Sequence, residues 1–172
     1  VFGVRDQRAY PFAVDLGVAM QITNIARDIL EDAERHRLYV PGTLLDAPVS
    51  CEGLAQGDAD QRAHAYQGAM RMLSIADEYY ASAALGYGYL PPSVRQAIKV
   101  AARLYQAIGE KVARNERAYW QRRTVVSTER KCLLIAELFM QRLRDGSSTL
   151  KVGKFQHAQH LHVALDQRRF TA

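Results

Sequence analysis

The segment Gln21-Ile-Thr-Asn24-Ile-Ala-Arg27-Asp28-Ile-Leu-Glu31-Asp32 limits what this chain can fold into more than any other stretch. On an α-helix, residues three, four or seven apart share a face. Gln21, Asn24, Asp28, Glu31 and Asp32 therefore fall on one narrow stripe. Val18, Met20, Ile22, Ile25, Ala26, Ile29 and Leu30 fill the rest of the circumference. A helix apolar around most of its girth is normally buried, and this one carries an acidic stripe into whatever cavity it faces. Three acids at its C-terminal end also oppose the helix dipole, which favours cations there. Local helix energetics do not account for that arrangement; a bound divalent cation does.

The helix holding the stripe is predicted over residues 11–33. Asp6 can cap it, Pro11 is tolerable only in its first turn or two, and Gly17 interrupts it. The missing side chain of Gly17, one turn below Gln21, either leaves room for a ligand or admits a close helix contact. Residues 35–57, punctuated by Pro41, Gly42, Pro48 and Gly53, read as a loop with short helical turns at 43–46 and 52–56. Loops of that length are usually functional or carry small elements. A second long helix is predicted over 60–90, with Tyr66, Met70, Leu73, Ala76, Tyr80, Ala84 and Tyr87 on its apolar stripe, and Pro91-Pro92 stop it. Ser93 and Gln96 form a capping box for a third helix over 93–119, whose stripe includes Ala101, Tyr105, Ile108 and Val112. Ser127 and Glu129 open a fourth, with Leu134, Ile135, Leu138 and Phe139 inward and Gly146 as its stop. Periodicity then fades, and a mobile tail is expected over 147–172. No segment sustains strand alternation. Residues 1–146 read as one all-α domain, an antiparallel bundle of long helices.

The length of 172 residues allows one domain with a sizeable core, and 48% hydrophobic with 24% charged residues marks an ordinary globular chain. No apolar run approaches the roughly 18 residues of a membrane span, and no signal peptide opens the chain. Cys51 and Cys132 are not motif-spaced, which fits reduced thiols and a cytoplasmic location. The net charge of +5 suggests anionic partners, but the basic residues are spread out and form no nucleic-acid-binding motif. Peripheral contact with an anionic membrane remains compatible with that balance. Oligomeric state is not legible. The chain starts at Val1 inside what reads as running sequence, so it is expected to be the C-terminal part of something longer.

Asp28 and Asp32, one turn apart beside Glu31, can hold Mg²⁺ through carboxylate oxygens while leaving sites for water and a phosphate. Asn24 adds a carbonyl oxygen one turn back. A solvated acidic helix end is the plain alternative for a lone D-x-x-x-D, but the apolar helix and the following Arg35 and Arg37 favour a metal–diphosphate site. Arg27 can pair with Glu31, or reach a phosphate or a neighbouring helix. Tyr39 and Tyr105 can each offer a hydroxyl to a phosphate oxygen, or serve as core tyrosines with one satisfied hydrogen bond. Arg122, Arg123, Arg130 and Lys131 bracket a helix start that could attract an anion or form a basic surface turn. His157, His160 and His162 have no partners of matching spacing nearby and stay unassigned.

The run from Gly17 to Asp32, with Arg37-Leu-Tyr39-Val-Pro41, closely resembles the second aspartate-rich motif of the squalene/phytoene synthase family. Ala102-Arg-Leu-Tyr105-Gln-Ala-Ile108 and Arg122-Arg-Thr-Val-Val-Ser-Thr-Glu-Arg-Lys131 resemble that family's later segments, in the expected order. The likeness covers roughly residues 2–143 and is greatest to bacterial phytoene synthases. It implies an isoprenoid synthase-like helical fold and a prenyltransferase that joins two geranylgeranyl diphosphates head to head, through a cyclopropylcarbinyl diphosphate, to phytoene in carotenoid biosynthesis. By motif match, Asn24 and Asp28 would ligate Mg²⁺ (or Mn²⁺), with Asp32 completing the metal cluster. Gln21, Arg27, Tyr39, Tyr105, Arg122 and Lys131 would contact diphosphate or the reacting allyl end, with Asp28, Asp32 and Tyr105 nearest the chemistry. The bundle's apolar walls would house the prenyl chains and exclude water.

The family carries two aspartate-rich motifs on facing helices, and this chain shows one. The first motif and the N-terminal helices are expected before Val1, and the 172 residues alone are expected to have no turnover. Two rivals stand beside this reading. One is a squalene, dehydrosqualene or hydroxysqualene synthase using farnesyl diphosphate, with NADPH only for squalene. The other is a non-catalytic helical assembly protein on the same scaffold, which would be free to lose Asn24, Asp28 and Asp32.

Overall fold

A computed structural model of the protein describes residues 6–144 and 157–162, all in helices, turns and connecting coil. Helix α1 spans Tyr10–Arg27. It follows one 3-10 turn capped by Asp6, whose carboxylate accepts the Arg8 amide at 3.0 Å, and it starts with Pro11, whose missing N–H costs nothing there. The stripe helix does not run unbroken to residue 33. Asp28 adopts φ −104° and ψ 15°, and α2 resumes over Ile29–Ala33. The Asp28 amide is shared between the Asn24 and Ile25 carbonyls at 3.0 and 3.3 Å, a local tightening of the turn. The Asp28 carboxylate makes no capping bond there; it is taken by arginine side chains instead.

Short α3 (Cys51–Gln56) is capped by Ser50 and closed by Gly57 at φ 88°, a left-handed conformation suited to glycine. Asp58 caps α4, which spans Ala59–Leu85, short of the predicted 90, because Gly86–Tyr89 tighten into a 3-10 turn. A Cβ on Gly86 would stand 2.3 Å from that of Phe12, so the close crossing of α1 requires glycine. Helix α5 (Pro92–Arg114) starts one residue before Ser93, which makes no capping bond; proline itself supplies the first turn. It stops at Asn115, whose side chain accepts the Ala118 amide at 2.9 Å and begins a separate α6 (Glu116–Gln121). Helix α7 spans Thr128–Arg144. The expected Gly146 stop lies outside the described residues.

The core is the seam between α1 and α4, with α5 laid across both. Ala19, Ala26, Ala65, Ala69, Ala76 and Ala83 are almost fully buried along it, and their small side chains allow the two long helices to approach closely. Tyr66 ties α4 to α5 by donating to the Val112 carbonyl at 3.0 Å. Helix α7 rests on α5 through Leu134, with Leu138 half-buried. Ile135 and Phe139, expected inward, are 44% and 54% exposed: one supporting helix covers only a narrow stripe of α7. Both cysteines are free, and no described helix is long and apolar enough to cross a membrane.

Candidate functional site

Phe12, Asp15, Ala19, Thr23 and Ala26 form the buried face of α1. Gly17, Gln21, Asn24 and Asp28 lie about 100–200° away around the helix, and their exposure agrees: Gly17 and Gln21 are exposed, Asn24 and Asp28 half-buried. The acidic stripe thus occupies the side of α1 turned away from α4. The helix is not sheathed all round, as its apolar girth suggests; Val14 is 42% exposed on the same open side.

At the α1–α2 break, Arg27 pairs with Asp28 rather than Glu31, donating at 2.7 and 2.5 Å to its two carboxylate oxygens. Arg123 reaches the same carboxylate at 3.1 and 3.3 Å. Burial alone would raise the Asp28 pKa, but hydrogen bonds from Arg27 and Arg123 outweigh it and hold the carboxyl below its usual value. Asp32 behaves oppositely. Burial, then the charge of Asp28, pushes its pKa up, and Arg35 and Arg37 only partly offset the shift. Glu31 pairs with Arg35 at 2.8 Å through one oxygen. Its other oxygen, buried and 3.2 Å from Arg123, is misaligned and makes no hydrogen bond. The cluster is therefore crowded with negative charge on the Asp32 side and neutralised on the Asp28 side.

Arg123 is delivered by α6. The Tyr119 ring is buried between Tyr66 and Trp120, with centroids 5.5 and 4.7 Å away. Its hydroxyl, with its pKa raised by burial, donates to the Ala26 carbonyl at 2.7 Å, satisfying an acceptor in the last turn of α1. The chain leaves α6 extended, with Arg122 at φ −162° and ψ 154°. Consecutive side chains on extended backbone point to opposite sides. Arg123 therefore lands on Asp28 and Arg122 is left exposed. Sequence spacing does not separate these neighbours; a connection too short to be helical between two helices was the available signal.

The other candidate residues are dispersed. Tyr39 is 52% exposed beyond α2, and Lys131 is exposed in the first turn of α7. Tyr105 is half-buried beside Tyr80 in a cluster with Ala19, Ala76 and Ala102, and no bond from it reaches Asp28 or Asp32 among the described residues. The Tyr80 hydroxyl, pushed up to about 12 by burial, shares a 3.1 Å hydrogen bond with Thr23. Two clefts of about 320 and 410 Å³ open along the α4–α5 seam and share Tyr80, Arg103 and Gln106. Neither is lined by Asp28 or Asp32. A Cβ on Gly17 would meet nothing within 4 Å, so tight helix contact does not explain that glycine among the described residues.

Residues 1–130 match the family model of squalene/phytoene synthase. The chain is similar to a 15-cis-phytoene synthase of Enterobacter agglomerans, 40% identical over 136 residues that cover 78% of this chain and 45% of the relative. A 15-cis-phytoene synthase of Paracoccus is 41% identical over 124 residues, covering 71% and 39%. A phytoene synthase of Rhodobacter capsulatus is 35% identical over 157 residues, covering 91% and 45%. The chain thus spans less than half the length of these relatives. Its all-helical, isoprenoid synthase-like bundle and the match over residues 1–130 lead to one conclusion: the chain belongs to the squalene/phytoene synthase family.

Proposed function

We propose that this chain supplies the second aspartate-rich half of a phytoene-forming prenyltransferase. Its substrates are two geranylgeranyl diphosphates, joined head to head through a cyclopropylcarbinyl diphosphate. The observation that carries the reading is the unbalanced carboxylate cluster at the α1–α2 break, with two guanidinium groups already gathered on it.

The residues present fit Mg²⁺. The raised Asp32 carboxyl, crowded by Asp28, marks negative charge that a cation would neutralise, and one Glu31 oxygen still lacks a hydrogen bond. The three acids do not converge into a closed cage, which suits an ion held by one or two carboxylates and substrate phosphates. Asn24, Asp28 and Asp32 would hold it, and when bound it stabilises the charge of a departing diphosphate. Arg27 and Arg123 can exchange the Asp28 carboxylate for phosphate oxygens, keeping a bidentate, charge-assisted contact. Gln21, on the same open side, would orient the same headgroup. The apolar surfaces at Tyr80, Tyr87 and Ala102 would shield the prenyl chains from water. Tyr105 borders this region, and Tyr39, Arg122 and Lys131 would have to approach the headgroup from the flanks.

Because the chain carries one aspartate-rich motif, the isolated 172 residues should bind diphosphate without turning it over. The test is titration with inorganic diphosphate, with and without Mg²⁺. Binding that depends on Mg²⁺ and disappears in Asp28→Asn supports the reading; binding indifferent to both overturns it. Joining the amino-terminal half of the Enterobacter agglomerans relative ahead of Val1 and identifying the hydrocarbon formed then decides chain length. A C30 product from farnesyl diphosphate, in preference to phytoene, would sink the substrate assignment.

A further inference from the structure

Asp15 is an aspartate the diphosphate reading does not use. It sits in the middle of the buried face of α1, at 0% exposure, about 20 Å along the helix axis from Asp28. The His157 Nε2 lies 2.8 Å from Asp15 Oδ2 and the His162 Nε2 lies 2.6 Å from Oδ1. Ser82, on α4, donates to Oδ2 at 2.6 Å. The two imidazole rings stand 4.4 Å apart, and Phe12 meets His157 edge to face at 5.3 Å. Tyr79 donates to the Leu161 carbonyl at 2.9 Å, fixing the backbone of the short strap that carries both histidines.

We propose that Asp15, His157 and His162 form a binding site for a divalent transition-metal ion of the zinc type, which fastens residues 157–162 to α1. One ligand atom from each of the three residues lies within 4.8 Å of the others. Two imidazoles and one carboxylate are the donor set of catalytic-type zinc sites, with the fourth position left for water. Nitrogen donors of this kind select zinc, copper, nickel or cobalt over Mg²⁺. Charge also argues for an ion. A fully buried carboxylate needs a counter-charge, and no Lys or Arg pairs with Asp15 among the described residues. A bound dication supplies that charge directly, and imidazole ligates in its neutral form. The present separations are hydrogen-bond distances. Ligands around a tetrahedral ion with bonds of about 2.0–2.1 Å stand roughly 3.3 Å apart, so loading requires each ring to retreat by about half an ångström. Small rotations of the imidazole side chains supply that movement, and both histidines keep an exposed edge for access (13% and 14%). The Ser82 hydroxyl and the Phe12 ring provide the outer contacts that orient carboxylate and imidazole.

The test uses the whole chain, stripped with chelator and dialysed against Zn²⁺. One Zn²⁺ per chain is expected, undisturbed by excess Mg²⁺ and retained in Asp28→Asn/Asp32→Asn. His157→Gln and His162→Gln should each weaken binding at least about tenfold, and together remove it while helicity by circular dichroism is preserved. Absence of bound Zn²⁺, or binding that survives the double histidine change, overturns the proposal. X-ray absorption on the zinc-loaded unmodified chain reads the ligands without any variant. A shell with two imidazoles is expected, and an all-oxygen shell overturns the site.

Discussion

Two aspartates on one helix receive opposite treatment. Asp15 lies on the buried face, its oxygens taken by two imidazoles and a hydroxyl, with no guanidinium paired to it among the described residues. Asp28 lies on the open face at the helix end, held by the half-buried Arg27 and the exposed Arg123. The first arrangement offers an anion no guanidinium among the described residues; its nitrogen and carboxylate donors suit a metal ion. The second is built for exchange, since phosphate oxygens match a guanidinium as well as carboxylate does. Position around the helix, more than residue type, decides which kind of ligand each aspartate can meet.

The largest expected effect breaks the comparison from the buried side. Asp15→Ala leaves two imidazoles and the Ser82 hydroxyl without their acceptor, and should cost about 3 kcal/mol of stability, read as a lowered denaturant midpoint. In Asp28→Ala, stability should fall less than for Asp15, by about 1–2 kcal/mol, because Arg123 is half exposed and keeps Glu31 as a partner, while Mg²⁺-dependent diphosphate affinity falls on the order of 100-fold. If calorimetry showed Asp28→Ala to be the more destabilising change, the contrast between the two aspartates would be wrong.

The two sites also differed in how far the sequence revealed them. Asp28 and Asp32 were legible because helical periodicity is local: the spacing that places them on one stripe needs nothing beyond the helix. Asp15 gave a fainter signal, a lone acid on the run Phe12, Ala19, Thr23 and Ala26 that otherwise faces the core. Its histidine partners lie more than 140 positions away in a segment without periodicity, so no spacing rule could connect them. The same limit explains Arg123. Its selection over Arg122 depends on Tyr119 anchoring α6 to the Ala26 carbonyl, a contact 93 residues apart in sequence. The long helices and the class were legible; breaks at Asp28 and Asn115 were not, because the apolar pattern runs through both without interruption.

That anchor gives a smaller effect. Tyr119→Phe removes one buried hydrogen bond, worth about 1 kcal/mol, and should loosen Arg123 from Asp28. Stability as a function of pH reads the loosening. The Asp28 carboxyl is depressed below 3.8 in the folded chain, so its stabilisation is complete above that pH and disappears as pH falls through the folded value. In Tyr119→Phe, or more directly Arg123→Ala, this acid limb should shrink. Asp32 carries the opposite sign. Its raised carboxyl disfavours the folded state above its folded value and stops doing so as pH falls through it. Asp32→Asn should therefore stabilise the chain at neutral pH, by less than about 1 kcal/mol, while weakening diphosphate binding.

The smallest change sits between the two aspartates. Gly17 lies on the open face, and an added Cβ there has no neighbour within 4 Å. Alanine removes glycine's excess backbone entropy from a helix interior, so Gly17→Ala should stabilise the chain by roughly 0.5–1 kcal/mol. If Gly17 instead serves close helix contact, the same change would lower the thermal midpoint. Diphosphate binding separates the remaining roles. A glycine kept to leave room for the ligand should give a chain that is more stable yet binds more weakly. A gain in stability with unchanged binding would limit the ligand face to Gln21 and beyond.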